Sequence, residues 1–179
     1  MIRIRHVLAS AALVGLAVCA TEDASAGPSA DYFQHARKVR AHLLSLAHQA
    51  EPTVPTYAVI TGFGGLPPPD NSTATATPIS GGRWHVEVLE TDRFAKDRDL
   101  SLQRKSYDVQ GERAKTIDRI LADPVFFRSR REVPQTCFDA AYASVEVTVS
   151  GRSHSAIRQT CAKPDIVMRL WKAVLSPIP

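Results

Sequence analysis

Hydrophobic and polar positions repeat with two different periods along this chain. Tyr32, Ala36, Val39, Leu43 and Ala47 recur at helical spacing, with Leu44 and Leu46 widening the stripe, and predict an amphipathic helix over residues 30–50. Ser29 is placed to cap its start, and Pro52 and Pro55 to end it. Thr56 to Thr61 is a short β-rich run. From Gly62 to Gly82 the chain is rich in Gly, Pro, Ser and Thr around Pro67-Pro68-Pro69, which predicts a mobile loop with polyproline character. Trp84, Val86 and Val88 then alternate with His85 and Glu87, the pattern of a strand. A polar turn over Thr91 to Asp97 leads to Leu100 and Leu102, which mark a partner strand. Residues 111–122 predict a helix with Ala114, Ile117, Ile120 and Leu121 inward, stopped by Asp123-Pro124.

The clearest two-residue period lies near the C-terminus. Ala141, Ala143, Val145, Val147 and Val149 alternate with Tyr142, Ser144, Glu146 and Thr148, a strand with one apolar and one wet face. Ser150-Gly151-Arg152-Ser153-His154 follows as a turn, and Ser155 to Cys161 reads as the return strand. Matching the apolar positions sets Val147 beside Ile157 and Ala143 beside Cys161. Pro164 opens a last helix with Ile166, Val167, Leu170, Trp171 and Val174 inward, and Pro177 closes it. The expected fold is α+β: a ββαββα core, an antiparallel sheet with helices packed on one face, plus an N-terminal helix. The organisation read from this is a leader over 1–26, a helix and short strand over 27–61, a Gly/Pro/Thr-rich loop over 62–82, and an α+β domain over 83–179.

The leader has the three parts of an export signal. Arg3 and Arg5 precede an apolar run from Val7 to Ala20, and Ala24-Ser25-Ala26 is an A-x-A cleavage pattern before Gly27. The run is too short to span a bilayer stably. Leu16-Ala17-Val18-Cys19 resembles a lipoprotein box, although Val18 stands where that box takes a small residue. The expected destination is periplasmic or extracellular, with membrane attachment only through a lipid on Cys19. With 179 residues, 44% of them hydrophobic, the chain can bury a core of ordinary size without relying wholly on cross-links. Its 22 basic and 18 acidic residues give a net charge of +4, too small an excess to indicate nucleic acid.

After cleavage Cys137 and Cys161 remain. An even count in an exported chain reads as a disulfide. Two cysteines without nearby histidines do not fill a tetrahedral zinc site, and a redox pair favours C-x-x-C spacing. For chemistry the residues offer little. His35, His42 and His48 share one helix but lack the three- or four-residue spacing of a ligand pair, and carboxylate partners are missing. His85 and His154 have no partner local in sequence. There is no G-x-S-x-G elbow, H-E-x-x-H or P-loop, so no catalytic residue, metal ligand or cofactor is assigned. Phe126 and Phe127 beside Arg128, Arg130 and Arg131 form an aromatic and cationic cluster suited to a protein or anionic partner, or else two core phenylalanines with solvated arginines. Arg152 and His154 at the hairpin tip complete the candidate interaction surface.

From Trp84 to Leu175 the layout resembles the emfourin family of small proteinaceous inhibitors of thermolysin-like metallopeptidases. The resemblance rests on the strand Trp84 to Glu90, the run Asp99 to Gln103 and the helix around Ile117 to Leu121 leading into Asp123-Pro124-Val125-Phe126-Phe127. It continues through Tyr142, Val145, Val147, the Gly151-Arg152-Ser153-His154 turn and the Pro-started helix with Leu170. This chain departs from the family in its cysteine pair, signal peptide, N-terminal helix and Pro-rich loop, and in the absence of glycines from Thr91 to Lys96. The resemblance implies a non-enzymatic protein that binds another exported protein, such as a peptidase. The alternative is an envelope-associated structural protein or lipoprotein.

Overall fold

A computed structural model describes residues 28–65, 71–92, 94–97, 101–132, 137, 140–161 and 163–175. The expected leader, with Cys19, and the proline run at 67–69 lie outside the described residues. Helix α1 (Pro28–Ala47) precedes strands β1 (Thr56–Gly64), β2 (Ser72–Ile79), β3 (Arg83–Thr91) and β4 (Leu102–Val109). Helices α2 (Glu112–Ala122) and α3 (Pro124–Phe127) follow, then strands β5 (Ala141–Val149) and β6 (Arg152–Gln159), and helix α4 (Ile166–Leu175). All strands join one six-stranded antiparallel sheet in the order β4-β3-β2-β1-β5-β6. The fold is α+β.

Alternation along the strands separates two cores. On one face Ala58, Ala76, Val86, Val145, Val147 and Ala156 pack against α2, α3 and α4 through Ile117, Phe126 and Leu170. Helices α2 and α4 are those expected on one face of the ββαββα unit; the short α3 follows directly where Asp123-Pro124 was expected only to end α2. Each fully buried Val, Ile, Leu or Phe in this layer contributes roughly 1.5–3 kcal/mol relative to exposure, and each alanine less. Two polar contacts tie this layer down. Trp84 Nε1 donates to Asp118 Oδ1 at 2.9 Å, and the Arg113 guanidinium donates to the carbonyls of Ala173 and Val174, satisfying the end of α4. On the other face α1 lays Phe33, Ala36, Val39, Leu43, Leu44 and Ala47 over Phe63, Leu89 and Ile157. The sheet is therefore sandwiched between helices.

Three expectations change. The first concerns residues 62–82, expected as a loop. There β1 continues to Gly64 and β2 occupies Ser72–Ile79 in the middle of the sheet. Alternating Thr and Ala forms a two-residue period whose small side chains fit a strand covered on both sides: Ala74 and Ala76 enter one core, and Thr73 is buried under α1. Pro78 is tolerated because the β1–β2 ladder has already ended at Ala58↔Ala76.

The hairpin register is the second. Val147 faces His154 and Ala143 faces Arg158, while Ile157 lies opposite Ser144. Val149↔Arg152 closes a two-residue turn in which Ser150 and Gly151 both have positive φ, 48° and 84°. Turn geometry sets the register, and Ile157 finds its apolar cover under α1 rather than beside Val147.

The third concerns the ends of α1. It begins at Pro28, so Ser29 lies within its first turn rather than capping it. It stops before either proline. His48, at φ 51°, closes it with N–H bonds from His48 to Ser45 O and from Gln49 to Leu44 O, the Schellman pattern that usually uses glycine.

Candidate functional site

The face under α1 is built in rows that cross the sheet. One row, Arg104, Leu89, Thr73, Thr61, Ser144 and Ile157, lies beneath the helix. The next, Ser106, Glu87, Thr75, Val59, Glu146 and Ser155, runs alongside it. The helix crosses the strands from β5, where Tyr32 stacks on Tyr142 at 4.7 Å, to β4, where Arg104 donates to Ala47 O. The second row thus stays open beside the helix, and a groove of about 800 Å³ forms there. Its walls are Arg37, Arg40 and Ala41 of α1, Tyr57 and Val59 of β1, Glu146 and Thr148 of β5, and Ser153 and Ser155 of β6; Glu51 and Arg131 stand at the rim.

Arg40 sets the groove's rigid end. Only 4% exposed, its Nε and Nη2 donate to the Glu51 carboxylate at 2.9 and 2.7 Å, Nη1 to Thr73 Oγ1 at 2.8 Å, and Nη2 to Thr75 Oγ1 at 3.1 Å. A buried guanidinium is tolerated because its donors are met by a fork of acceptors. Arg37 lies 3.9 Å from Glu146 and stays largely in solvent, so that pair contributes little to stability. At the opposite end Arg131 sits over the Phe33 ring at 4.7 Å and donates to Ser155 Oγ at 3.3 Å.

The candidate surface residues divide. Phe126 is a core residue with no exposure, edge-on to Phe127 at 5.5 Å and to His154 at 5.3 Å, so it is not a surface anchor. Phe127 is half-buried and capped by the Arg152 guanidinium at 4.5 Å. Arg128 and Arg130 are exposed, and the Arg130 carbonyl accepts from Arg158. Arg131 reaches the groove. His154 joins the Phe126–Phe127 cluster, with its Nε2 at 2.9 Å from Ser129 Oγ. Burial, and the guanidiniums of Arg131 and Arg158, hold its pKa below the usual histidine value.

Cys137 and Cys161 meet at bridging distance, with Cα atoms 6.7 Å apart. Gln159 fastens the same corner, its Nε2 donating to Cys137 O at 3.0 Å. His85 pairs with Asp108 through Nδ1 and Oδ1 at 2.9 Å, and Arg83 approaches the same carboxylate. His85 is thus paired with a carboxylate and His154 with a hydroxyl, on different strands. Among the described residues no three His, Cys, Asp or Glu side chains gather to hold a metal ion, and no helix is long and apolar enough to cross a membrane.

The sequence pointed to His154 but not to Arg37, Arg40, Glu51, Tyr57, Ser153 or Ser155. The available signals were Arg37 and Arg40 three residues apart on one helix flank, and the polar Ser144, Glu146 and Thr148 positions of β5. Only pairing of distant strands unites them. Compared with known families and with curated proteins, the chain matches no family model and no curated protein.

Proposed function

We propose that this chain is an exported, non-enzymatic binding protein that holds a segment of another protein in the groove between α1 and the β1–β5–β6 side of the sheet. The observation carrying this reading is a groove of about 800 Å³ whose polar groups are already held in place. Arg40 is locked by Glu51, Thr73 and Thr75 before any partner arrives. Such preorganisation lowers the entropy cost of association. The cysteine pair fits an oxidising compartment and the A-x-A pattern fits cleavage before Gly27. Inhibition of an exported peptidase is the form of binding that the emfourin resemblance implies.

The test uses the secreted protein with a photo-crosslinking residue at Thr148 in the groove, or at Lys115 on α2 as a control, expressed in its own cell envelope. Crosslinks to a defined protein from Thr148 and not from Lys115 are expected. Equal crosslinking from both positions, or none from Thr148, overturns the reading. A separate assay adds the purified protein in excess to thermolysin-like and unrelated peptidases; unchanged activity of all of them removes the inhibitor form.

A further inference from the structure

The hydrogen bonds of β6 show which of its backbone groups face outward. In an antiparallel pair alternate residues bond the neighbour, and those between them point away. Thr160 N–H donates to Ala141 O on β5, whereas Ile157 N–H donates outward to Arg131 O at 2.7 Å. Odd-numbered residues of β6 therefore present N–H and C=O at the sheet's edge. Position 157 is taken by the chain's own Arg131. At Ser153 and Ser155 these groups have no backbone partner among the described residues.

From these observations we propose that the β6 edge at Ser153–Ser155 takes an acidic, extended peptide segment as a seventh strand, an inference that rests on the binding reading above. The Arg131 contact shows that an outward N–H of this edge already donates to a carbonyl from another part of the chain. Side chains of a guest strand alternate, and those turned toward α1 enter the groove. Charge selects the guest. Arg131 lies on Ser155 and Arg37 stands across the groove, both exposed, while Arg152 lies over Phe127 on the opposite face of the sheet. Two acids stand with the groove's arginines, Glu146 facing Arg37 and Glu51 held by Arg40, which leaves Arg131, among the described residues, as the cation without an acid opposite it in the groove. The opposite edge, β4, is guarded by Gln103, Arg104 and Lys105, long polar side chains of the kind that discourage strand addition. On β6 the corresponding outward positions carry two short serines.

The test measures fluorescence anisotropy of labelled seven-residue peptides with the purified full chain. Three peptides share one Val/Thr framework and carry alternating Glu, Gln or Lys. The Glu peptide is expected to bind about tenfold tighter than either other, with the advantage shrinking as salt is raised. Ser155→Pro removes an outward N–H while sparing the β5 ladder, and is expected to weaken the Glu peptide about tenfold with unchanged circular dichroism. A Glu peptide N-methylated at alternate amides tests the same bonds with the unaltered protein, and should lose binding in one of the two methylation frames. Equal binding of the three peptides overturns the acidic preference. Full binding by Ser155→Pro together with both methylated frames overturns strand addition. Specific Thr148 crosslinks with no Glu-peptide binding would sink the strand inference and leave the groove reading standing.

Discussion

Ser144 is a polar side chain in an apolar setting. It is fully buried, and its hydroxyl has no hydrogen-bond partner among the described residues. The alternation of β5 places it on the polar side of the strand, and α1 then covers that side. A buried hydroxyl without a partner carries an uncompensated desolvation cost. Ser144→Ala is expected to raise stability by about 1 kcal/mol in urea denaturation, whereas a loss of that size would mean that the hydroxyl is satisfied. His154 gives a pH dependence of definite sign. Its folded-state pKa lies below the reference 6.5, because burial and then Arg131 and Arg158 disfavour the imidazolium. The unfolded chain therefore binds the proton more readily. The contribution is complete above the unfolded value and is lost as pH falls through the lowered folded value. Melting temperature should decline on acidification below about pH 6.5, and His154→Gln should flatten that decline. An unaltered profile in the variant would assign the decline to other groups.

At the scale of elements, the β5–β6 hairpin depends on both turn chemistry and its cysteine pair. Closing 24 residues of sequence separation restricts the unfolded chain, a term worth about 3–4 kcal/mol in the loop-entropy account. The double variant Cys137→Ser, Cys161→Ser should lose that much in denaturant titrations, and reducing agent should bring the native protein to the same midpoint. A midpoint insensitive to reductant would show the thiols free. The elements also show where periodicity is readable. β3 and β5 alternate bulky apolar with polar residues, and α2 and α4 carry apolar residues at helical spacing, so each was evident in the sequence. β2 was not, because Thr and Ala alternate without bulk, and composition resembled a linker. The hairpin register was misplaced by matching apolar residues on one face, when Ile157 is buried on the other.

For the molecule as a whole, two cores share one sheet, and they are unequal. The larger joins the sheet to α2, α3 and α4; the smaller rests on α1 alone. Leu43, fully buried, anchors that smaller core. Leu43→Ala is expected to cost about 2–5 kcal/mol, and amide hydrogen exchange should quicken in α1 more than in α2 or α4. Uniform quickening across the chain would instead make the two cores one cooperative unit. The groove follows from this architecture, because α1 covers one row of the polar face and leaves the next open. Local patterning alone specified the α+β class, helices α1, α2 and α4, most of the strands and the pairing of two cysteines, because those properties depend on periodicity and residue type over short spans. The tertiary structure decided that α1 caps the opposite face, that a Thr/Ala run becomes a central strand, and that Arg40 meets Glu51, Thr73 and Thr75. Those outcomes depend on which distant segments share a surface, and the free energy selecting them comes from burial that no single segment can achieve.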